Sequence, residues 1–274
     1  KGKICYGNTN KEVTMTWLLL DADMLLYQTV ASCETEIEWM PDIITTHLPV
    51  KQAQSMFKDL VSQKEKQAKA TRTTLCWTSE TNFRKKVDET YKGNRISYHR
   101  RKPVGYAATR AWAEDAFPSE CWCSLEGDDV LGILATRNED KTVIWSGDKD
   151  LQQIPGKHLD NDGNIYNISQ LQADVYFYRQ ILTGDTTDGY PGCPGIGPKT
   201  AEKLISESDF SEASAWRTVV EQYKKKGLGA DYALTQARLA RILRNTEYTF
   251  DELQLWTPLQ IQSDQTTTPM TKES

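Results

Sequence analysis

The amino-acid sequence predicts an α/β protein with a mostly parallel central sheet, followed by a helical region. Two observations lead there. Short apolar runs of strand length alternate with segments of helical period over roughly the first 176 residues, and beyond them the chain turns to helices joined by Gly/Pro loops. Strands that alternate with helices form parallel sheets covered on both faces.

Residues 16–21 (Thr-Trp-Leu-Leu-Leu-Asp) read as a buried strand that ends in an acid. Residues 50–70 set Ala53, Phe57, Leu60 and Val61 at helical spacing among Lys and Gln, an amphipathic helix. A second strand follows at 73–77. Residues 82–104 show neither period and end near Pro103, so they read as a partly mobile excursion from the core. A helix is expected at 105–117 and a strand at 121–125. Glu126-Gly127-Asp128-Asp129 then leads into a helix at 130–136, and a strand at 141–145 runs into Ser146-Gly147-Asp148-Lys149-Asp150. The core is thus placed at 16–176 and the helical region at 177–256. The helical region contains a Gly-rich turn at 192–199, a helix at 200–205, and helices near 211–226 and 231–245. Residues 1–15 and the polar stretch 257–274 read as flexible tails.

The chain has 274 residues, 38% hydrophobic and 26% charged, a composition suited to a globular protein. No apolar run approaches the roughly 20 residues of a membrane span; Trp17-Leu18-Leu19-Leu20 stops at Asp21. The first residues carry no apolar signal core. Six scattered cysteines read as reduced thiols, Cys121-x-Cys123 included, so a soluble cytoplasmic protein is expected. His47, His99 and His158 show no ligand spacing. The net charge of −5 hides a segregation. From Arg84 to Lys102, eight basic residues (Arg84, Lys85, Lys86, Lys92, Arg95, Arg100, Arg101, Lys102) face two acids, while acids cluster at strand ends. A basic stripe beside an acidic pocket suits an enzyme that binds phosphate with one and cations with the other.

The acids recur in one pattern, an apolar strand and then carboxylates. Asp21 follows the first strand; Glu126, Asp128 and Asp129 follow 121–125; Asp148 and Asp150 follow 141–145. Parallel strands deliver their carboxyl ends to one edge, so these acids should converge there. Asp185 and Asp188 are placed to complete the set. So many carboxylates stay ionised together only if cations neutralise them. Oxygen donors without His or Cys favour Mg²⁺, with Mn²⁺ a substitute. Two such ions about 4 Å apart activate water and stabilise a leaving oxygen. The plainer reading of any single acid is a helix cap or turn residue.

In the basic stretch, Lys92 or an arginine is suited to stabilise charge at a scissile phosphate, and Tyr91 or Phe83 to stack on an unpaired base. Gly195-Ile196-Gly197-Pro198-Lys199, opening a helix at Thr200, offers backbone N–H groups and a Lys to phosphate. An ordinary helix junction and a solvated loop are the alternatives. Lys224-Lys225-Lys226 reads as a solvated helix end.

In this order the segments around Asp21, Tyr91-Lys92-Gly93-Asn94-Arg95, Glu126-Gly127-Asp128-Asp129, Gly147-Asp148-Lys149-Asp150, Gly184-Asp185-Thr186-Thr187-Asp188-Gly189 and Gly195-Ile196-Gly197-Pro198-Lys199 resemble the bacteriophage 5′–3′ exonucleases. These group with flap endonucleases and the 5′-nuclease domain of DNA polymerase I. The resemblance spans about residues 17–256. It implies a PIN-like nuclease core, an arch at about 82–115, and a helix–three-turn–helix subdomain on duplex DNA.

It further implies one metal on Asp21, Glu126, Asp128 and Asp148, and a second on Asp148, Asp150, Asp185 and Asp188, with Asp129 a further family acid. Lys92 matches the arch lysine, with Arg84 and Arg95 beside it as catalytic neighbours. Tyr91, Arg100, Arg101, Lys102, Gly195, Gly197, Lys199 and Thr200 would contact DNA, with K⁺ at the turn. The implied substrates are DNA 5′ ends, flaps and junctions, and RNA in RNA–DNA hybrids, cut by a monomer in the cytoplasm, the host's if phage-encoded. Two positions depart from the family. Ser79 stands where an Asp is usual, with Glu80 adjacent as a substitute, and Gln180 stands where some relatives carry a Lys. The competing readings are a non-catalytic DNA-binding protein on the same fold and a shorter PIN-type ribonuclease.

Overall fold

The structure, a computed structural model, describes residues 15–93, 102–250 and 252–259. In chain order the strands are β1 (Trp17–Asp21), β2 (Thr35–Met40), β3 (Ile43–His47), β4 (Arg72–Cys76), β5 (Ser119–Glu120), β6 (Thr142–Trp145), β7 (Gly156–Leu159), β8 (Ile165–Ile168), β9 (Tyr248–Thr249) and β10 (Glu252–Leu253). Six form the central sheet in the order β5-β4-β1-β6-β7-β8. All neighbours are parallel except β8, which runs antiparallel to β7.

The unbroken Leu18-Leu19-Leu20 run follows from burial on both faces. Leu18 and Leu20 join Val143 and Trp145 on one face, packed by helices α1 (Ala22–Cys33), α2 (Val50–Ala68) and α4 (Tyr106–Ala116). Leu19 and Ile144 face the other way, onto Val130, Leu131, Ile133 and Leu134 of α5 (Gly127–Arg137). A third apolar cluster gathers α6 (Gln170–Thr183), α7 (Pro198–Leu204), α8 (Glu212–Lys225) and α9 (Ala230–Ala240) around Tyr178, Val219 and Tyr223. Helix α6 runs straight through the boundary expected at 176/177, begun by a capping box in which Ser169 and Gln172 satisfy each other's backbone N–H.

Three expectations are corrected, and one unassigned segment is filled. Residues 121–125 are not a strand: the fifth strand is Ser119–Glu120, and Cys121 and Cys123 are exposed in the turn that follows. The excursion expected at 82–104 is packed down through residue 93. A one-turn helix α3 (Arg84–Val87) is flanked by Phe83 and Tyr91, both buried. Phe83, Val87 and Tyr91 recur every four residues, a helical spacing that was there to be read. The helix expected to reach 245 ends at Ala240, where the Arg84 side chain accepts the task of capping: its Nε donates to the Leu239 carbonyl at 3.1 Å. The 34–48 segment, unassigned from sequence, forms the β2–β3 hairpin, with Trp39 and Ile44 exposed.

Arg95, Arg100 and Arg101 of the expected arch and most of both expected tails lie outside the described residues; within the second tail Pro258 is buried. Among the described residues no helix is long and apolar enough to cross a membrane. His158 is a core residue, its Nε2 at 2.9 Å from the Ile154 carbonyl.

Candidate metal centre

The sheet order reverses at β1, which has β4 on one side and β6 on the other. In such sheets the crevice beyond the carboxyl ends at the reversal is where ligands bind. Asp21 ends β1 there, level with the start of the 146–150 turn after β6. A cavity of about 260 Å³ opens at this point, lined among others by Asp21, Asp23, Glu126, Asp128, Asp148, Asp150, Asp188, Arg84 and Lys92. Asp21 caps α1, its Oδ1 accepting the Met24 N–H at 3.0 Å, and its Oδ2 accepts the Ser146 hydroxyl at 2.6 Å. Glu126 and Asp128 enter from the N-terminus of α5 rather than from a strand end, where exposed peptide N–H groups favour negative charge. Asp148 Oδ1 accepts the Asp150 N–H at 2.9 Å, which turns the chain back so that both acids face the cavity.

The loop 185–190 brings Asp188. Its base is pinched by Gly184 and Gly192, both at positive φ; a Cβ on either would lie 2.3 Å from the other's backbone nitrogen. Asp185 and Tyr190 then pair across the loop, N–H to carbonyl at 2.8 and 3.1 Å. Asp188 lines the acid cavity, whereas Asp185 lines an adjoining cleft that it shares with Asp150, Arg179 and Lys199.

Two basic side chains meet these acids. Lys92 Nζ binds Glu126 Oε1 and lies 3.6 Å from Asp188 Oδ2, and its backbone N–H donates to the Asp188 carbonyl at 2.8 Å. Its φ of +57° is the left-handed region that a non-glycine residue adopts at a cost, a strain typical of functional positions. Arg84, expected beside Lys92 as a catalytic neighbour, lines the cavity from within the core. It is buried, donating to both Asp129 oxygens at 2.7 and 2.8 Å and to Glu126 at 3.3 Å. Asp129 is therefore turned from the cavity onto Arg84, a place that corrects its reading as a further acid of the cluster. Tyr91, expected to stack on a base, is buried too, and its hydroxyl sits 3.1 Å from both Glu126 and Asp188. Lys102 is exposed, its ammonium over the Tyr106 ring. Gly195, Gly197, Lys199 and Thr200 are all exposed, and Lys226 Nζ approaches Gly195.

Two polar cavity residues escaped the sequence reading. Asp23, two residues past Asp21, reaches under the end of β4: its Oδ2 accepts the Thr78 N–H at 2.7 Å, and Tyr106 donates to its Oδ1 at 2.9 Å. Thr78 lines the cavity where Glu80 was expected to reach; Glu80 is exposed and Ser79 accepts the Ser124 N–H. The repetition of Asp at 21 and 23 was the available signal.

Burial pushes the Asp21 carboxyl up to about 6, helped by Asp23 and Asp148, against the pull of Ser146 and Met24. Burial, then Asp148, pushes Asp150 up to about 6. Asp128 is driven well above the carboxylate range by burial and by Asp21, Asp148 and Glu126. Burial also pushes Glu126 up, but Arg84 and Lys92 outweigh it and hold it below its usual value. Charge on this cluster is thus compensated most fully at Glu126, with weaker pairs from Lys92 to Asp188 at 3.6 Å and from Arg110 to Asp23 at 3.8 Å. Oxygen donors in such surplus match a hard divalent cation, which would relieve the repulsion. Among the described residues no three of His, Cys, Asp or Glu are already arranged to hold an ion.

A sequence model described as 5′–3′ exonuclease, N-terminal resolvase-like domain, matches residues 16–177. The chain belongs to the 5′–3′ exonuclease family. It is 30% identical to the exodeoxyribonuclease of Enterobacteria phage T3 over 88% of this chain and 92% of that protein. It is likewise 30% identical to the exonuclease of Escherichia phage T7, over 88% and 93%. Among solved structures it is similar to a bacteriophage T5 flap endonuclease in a pseudo-enzyme–product complex with DNA and metal ions, with a TM-score of 0.63 over 84% of this chain and 90% of that one, at 13% identity. A bacteriophage T5 protein co-crystallised with metal ions superposes with a TM-score of 0.61 at 14% identity. The expected PIN-like α/β fold is thereby shown, and as a family member this exonuclease is a phosphodiester hydrolase.

Proposed function

We propose that this exonuclease hydrolyses DNA from 5′ ends and at 5′ flaps with two divalent ions, Mg²⁺ by preference and Mn²⁺ in its place. The observation that carries the reading is the convergence of Asp21, Glu126, Asp128, Asp148, Asp150 and Asp188, from four distant segments, on one cavity at the sheet's reversal point. One ion would draw on Asp21, Glu126, Asp128 and Asp148, the other on Asp148, Asp150, Asp185 and Asp188. Bound there, the ions would supply an activated water and charge stabilisation for the leaving oxygen. Lys92 stands over Glu126 and Asp188 and is suited to hold the scissile phosphate, with its ammonium transferring from carboxylate to phosphate oxygen as substrate enters.

Arg84 acts indirectly, by fixing Glu126. The exposed turn at Gly195, Gly197, Lys199 and Thr200, with Lys226 beside it, supports a backbone-phosphate contact, and a K⁺ ion there belongs to the same reading. Arg95, Arg100, Arg101 and Lys102 would add phosphate contacts from the basic segment. We extend the proposal to RNA in RNA–DNA hybrids, to a monomer, and to two parts near 16–176 and 177–256. The free thiols Cys33, Cys76, Cys121, Cys123 and Cys193 suit a reducing cytoplasm. A 5′-flap DNA digest tests the core of this: cleavage with Mg²⁺, none with EDTA, and a loss of several orders of magnitude for Asp148→Asn. Equal digestion in all three sinks it.

A further inference from the structure

We infer that Gln180 is a positioning residue that ties the turn of Asp148 and Asp150 to the 185–190 loop; the inference rests on the metal reading above. Helix α6 turns Tyr176 and Gln180, one turn apart, toward the cleft that Asp150 and Asp185 line. The Tyr176 hydroxyl donates to Asp150 Oδ1 at 3.3 Å, and the Gln180 amide is buried beside it.

That amide makes two hydrogen bonds. Its Nε2 donates to the Tyr190 hydroxyl at 2.9 Å, and its Oε1 accepts from Gln153 Nε2. Tyr190 closes the loop that carries Asp185 and Asp188. Gln153 belongs to the 3₁₀ turn Lys149–Gln153 that follows Asp148, and it also donates to the Ala240 carbonyl at 2.8 Å and accepts the Ile242 N–H at 3.2 Å. One side chain therefore ties the turn of Asp148 and Asp150, the loop of Asp185 and Asp188, and the end of α9.

The chemistry selects an amide. The Tyr190 oxygen takes a proton donor, and Gln153 needs an acceptor. Lysine has no acceptor, glutamate no donor when ionised, and methionine neither. Without Gln180, the turn and the loop lose their shared tie, and the acids they carry lose their fixed spacing.

The test is calorimetric titration of the full chain with Mn²⁺ alone, no DNA present, for wild type, Gln180→Met and Gln180→Glu, with thermal unfolding in EDTA to check each fold. Loss of a support behind the metal ligands lowers affinity by about 10- to 100-fold. That loss is expected for Gln180→Met, with the Mg²⁺ needed for half-maximal flap cleavage rising in parallel and kcat recovering at saturating Mg²⁺. Gln180→Glu, the same size and shape, should show a larger loss and decides the matter if Gln180→Met does not fold. Wild-type Mn²⁺ affinity in the folded variants overturns the inference and leaves the metal reading standing. A wild-type chain that takes up no Mn²⁺ overturns both.

Discussion

Arg84 and Asp129 form a buried bidentate pair, with guanidinium nitrogens at 2.7 and 2.8 Å from the two carboxylate oxygens. The pair joins what 45 residues of chain separate. Asp129 also accepts the backbone N–H groups of Glu126 and Leu243 at 3.1 Å, and Arg84 reaches the carbonyls of Leu239 and Arg241. Through this one contact the first turn of α5, the α3 segment and the end of α9 share a fixed geometry, and Glu126 is oriented as a by-product. Removing one partner of such a pair strands a charge in the interior and costs about 3–5 kcal/mol. Arg84→Met and Asp129→Asn should each lower urea stability by that order, and the double variant by less than the sum. Single losses under about 1 kcal/mol would show the pair to be structurally idle.

Lys92→Ala should act on rate and not on fold. Among the described residues its side chain pairs with Glu126 and Asp188 and lies over the Tyr91 ring, so its loss leaves the apolar core packed. Loss of a charge donor at the reacting phosphate lowers turnover about 10²–10³-fold. Single-turnover cleavage of a 5′-flap substrate measures it, beside an unchanged circular dichroism spectrum. A rate within threefold of wild type rules the role out.

Asp128→Asn separates function from stability. The ionised Asp128 is disfavoured by burial and by three neighbouring acids, so the neutral amide should raise the melting temperature of the protein in EDTA at pH 8 while abolishing cleavage in Mg²⁺. A lower melting temperature would mean that Asp128 is stabilised by a contact not recognised above.

Stability without metal should fall as pH rises from about 4 to 6. Asp21 and Asp150 have folded values near 6, above the ordinary carboxylate value, so in this window the folded state holds more protons than the unfolded. A rise of about two units corresponds to roughly 2–3 kcal/mol for the buried Asp21, and less for the more exposed Asp150. Glu126, held low, has the opposite sign, but its contribution is lost only below its unfolded value of 4.5. Urea denaturation in EDTA at pH 5 and 6.5 checks the slope. Flat or rising stability contradicts the charge surplus, and saturating Mg²⁺ should abolish the fall.

Gly184→Ala should unfold the loop that carries Asp185 and Asp188. The added methyl meets the Gly192 nitrogen, a backbone atom that cannot yield, at a φ of +65° that alanine also resists. A cost of about 3 kcal/mol or more is expected, read as a drop in melting temperature together with lost cleavage. Wild-type stability would mean that the pinch relaxes freely.

Much of the site was legible because it is written locally. An apolar run followed by an acid marks a strand end, and parallel strands leave few choices about where their ends meet. That logic places Asp21, Asp148 and Asp150 without a structure. It also found Glu126 and Asp128, although the strand assigned before them does not exist and a helix N-terminus delivers them instead. The reading faltered where a residue's role depends on a partner far along the chain. Arg84, Tyr91 and Asp129 carry charge or an aromatic ring in a segment rich in both, and composition alone made them surface or cavity groups.

The sequence by itself determined the sheet's apolar strands, the alternation that makes them parallel, the family order of motifs and the surplus of carboxylates, since each depends on residues within a few positions of one another. Tertiary structure alone decided that Lys92 lines the cavity half-buried while Arg84 is interred, that Asp188 lines the cavity while Asp185 borders it, and that Gln180 binds Tyr190 and Gln153 at once. Those outcomes depend on distances between segments remote in sequence, and no local pattern encodes them.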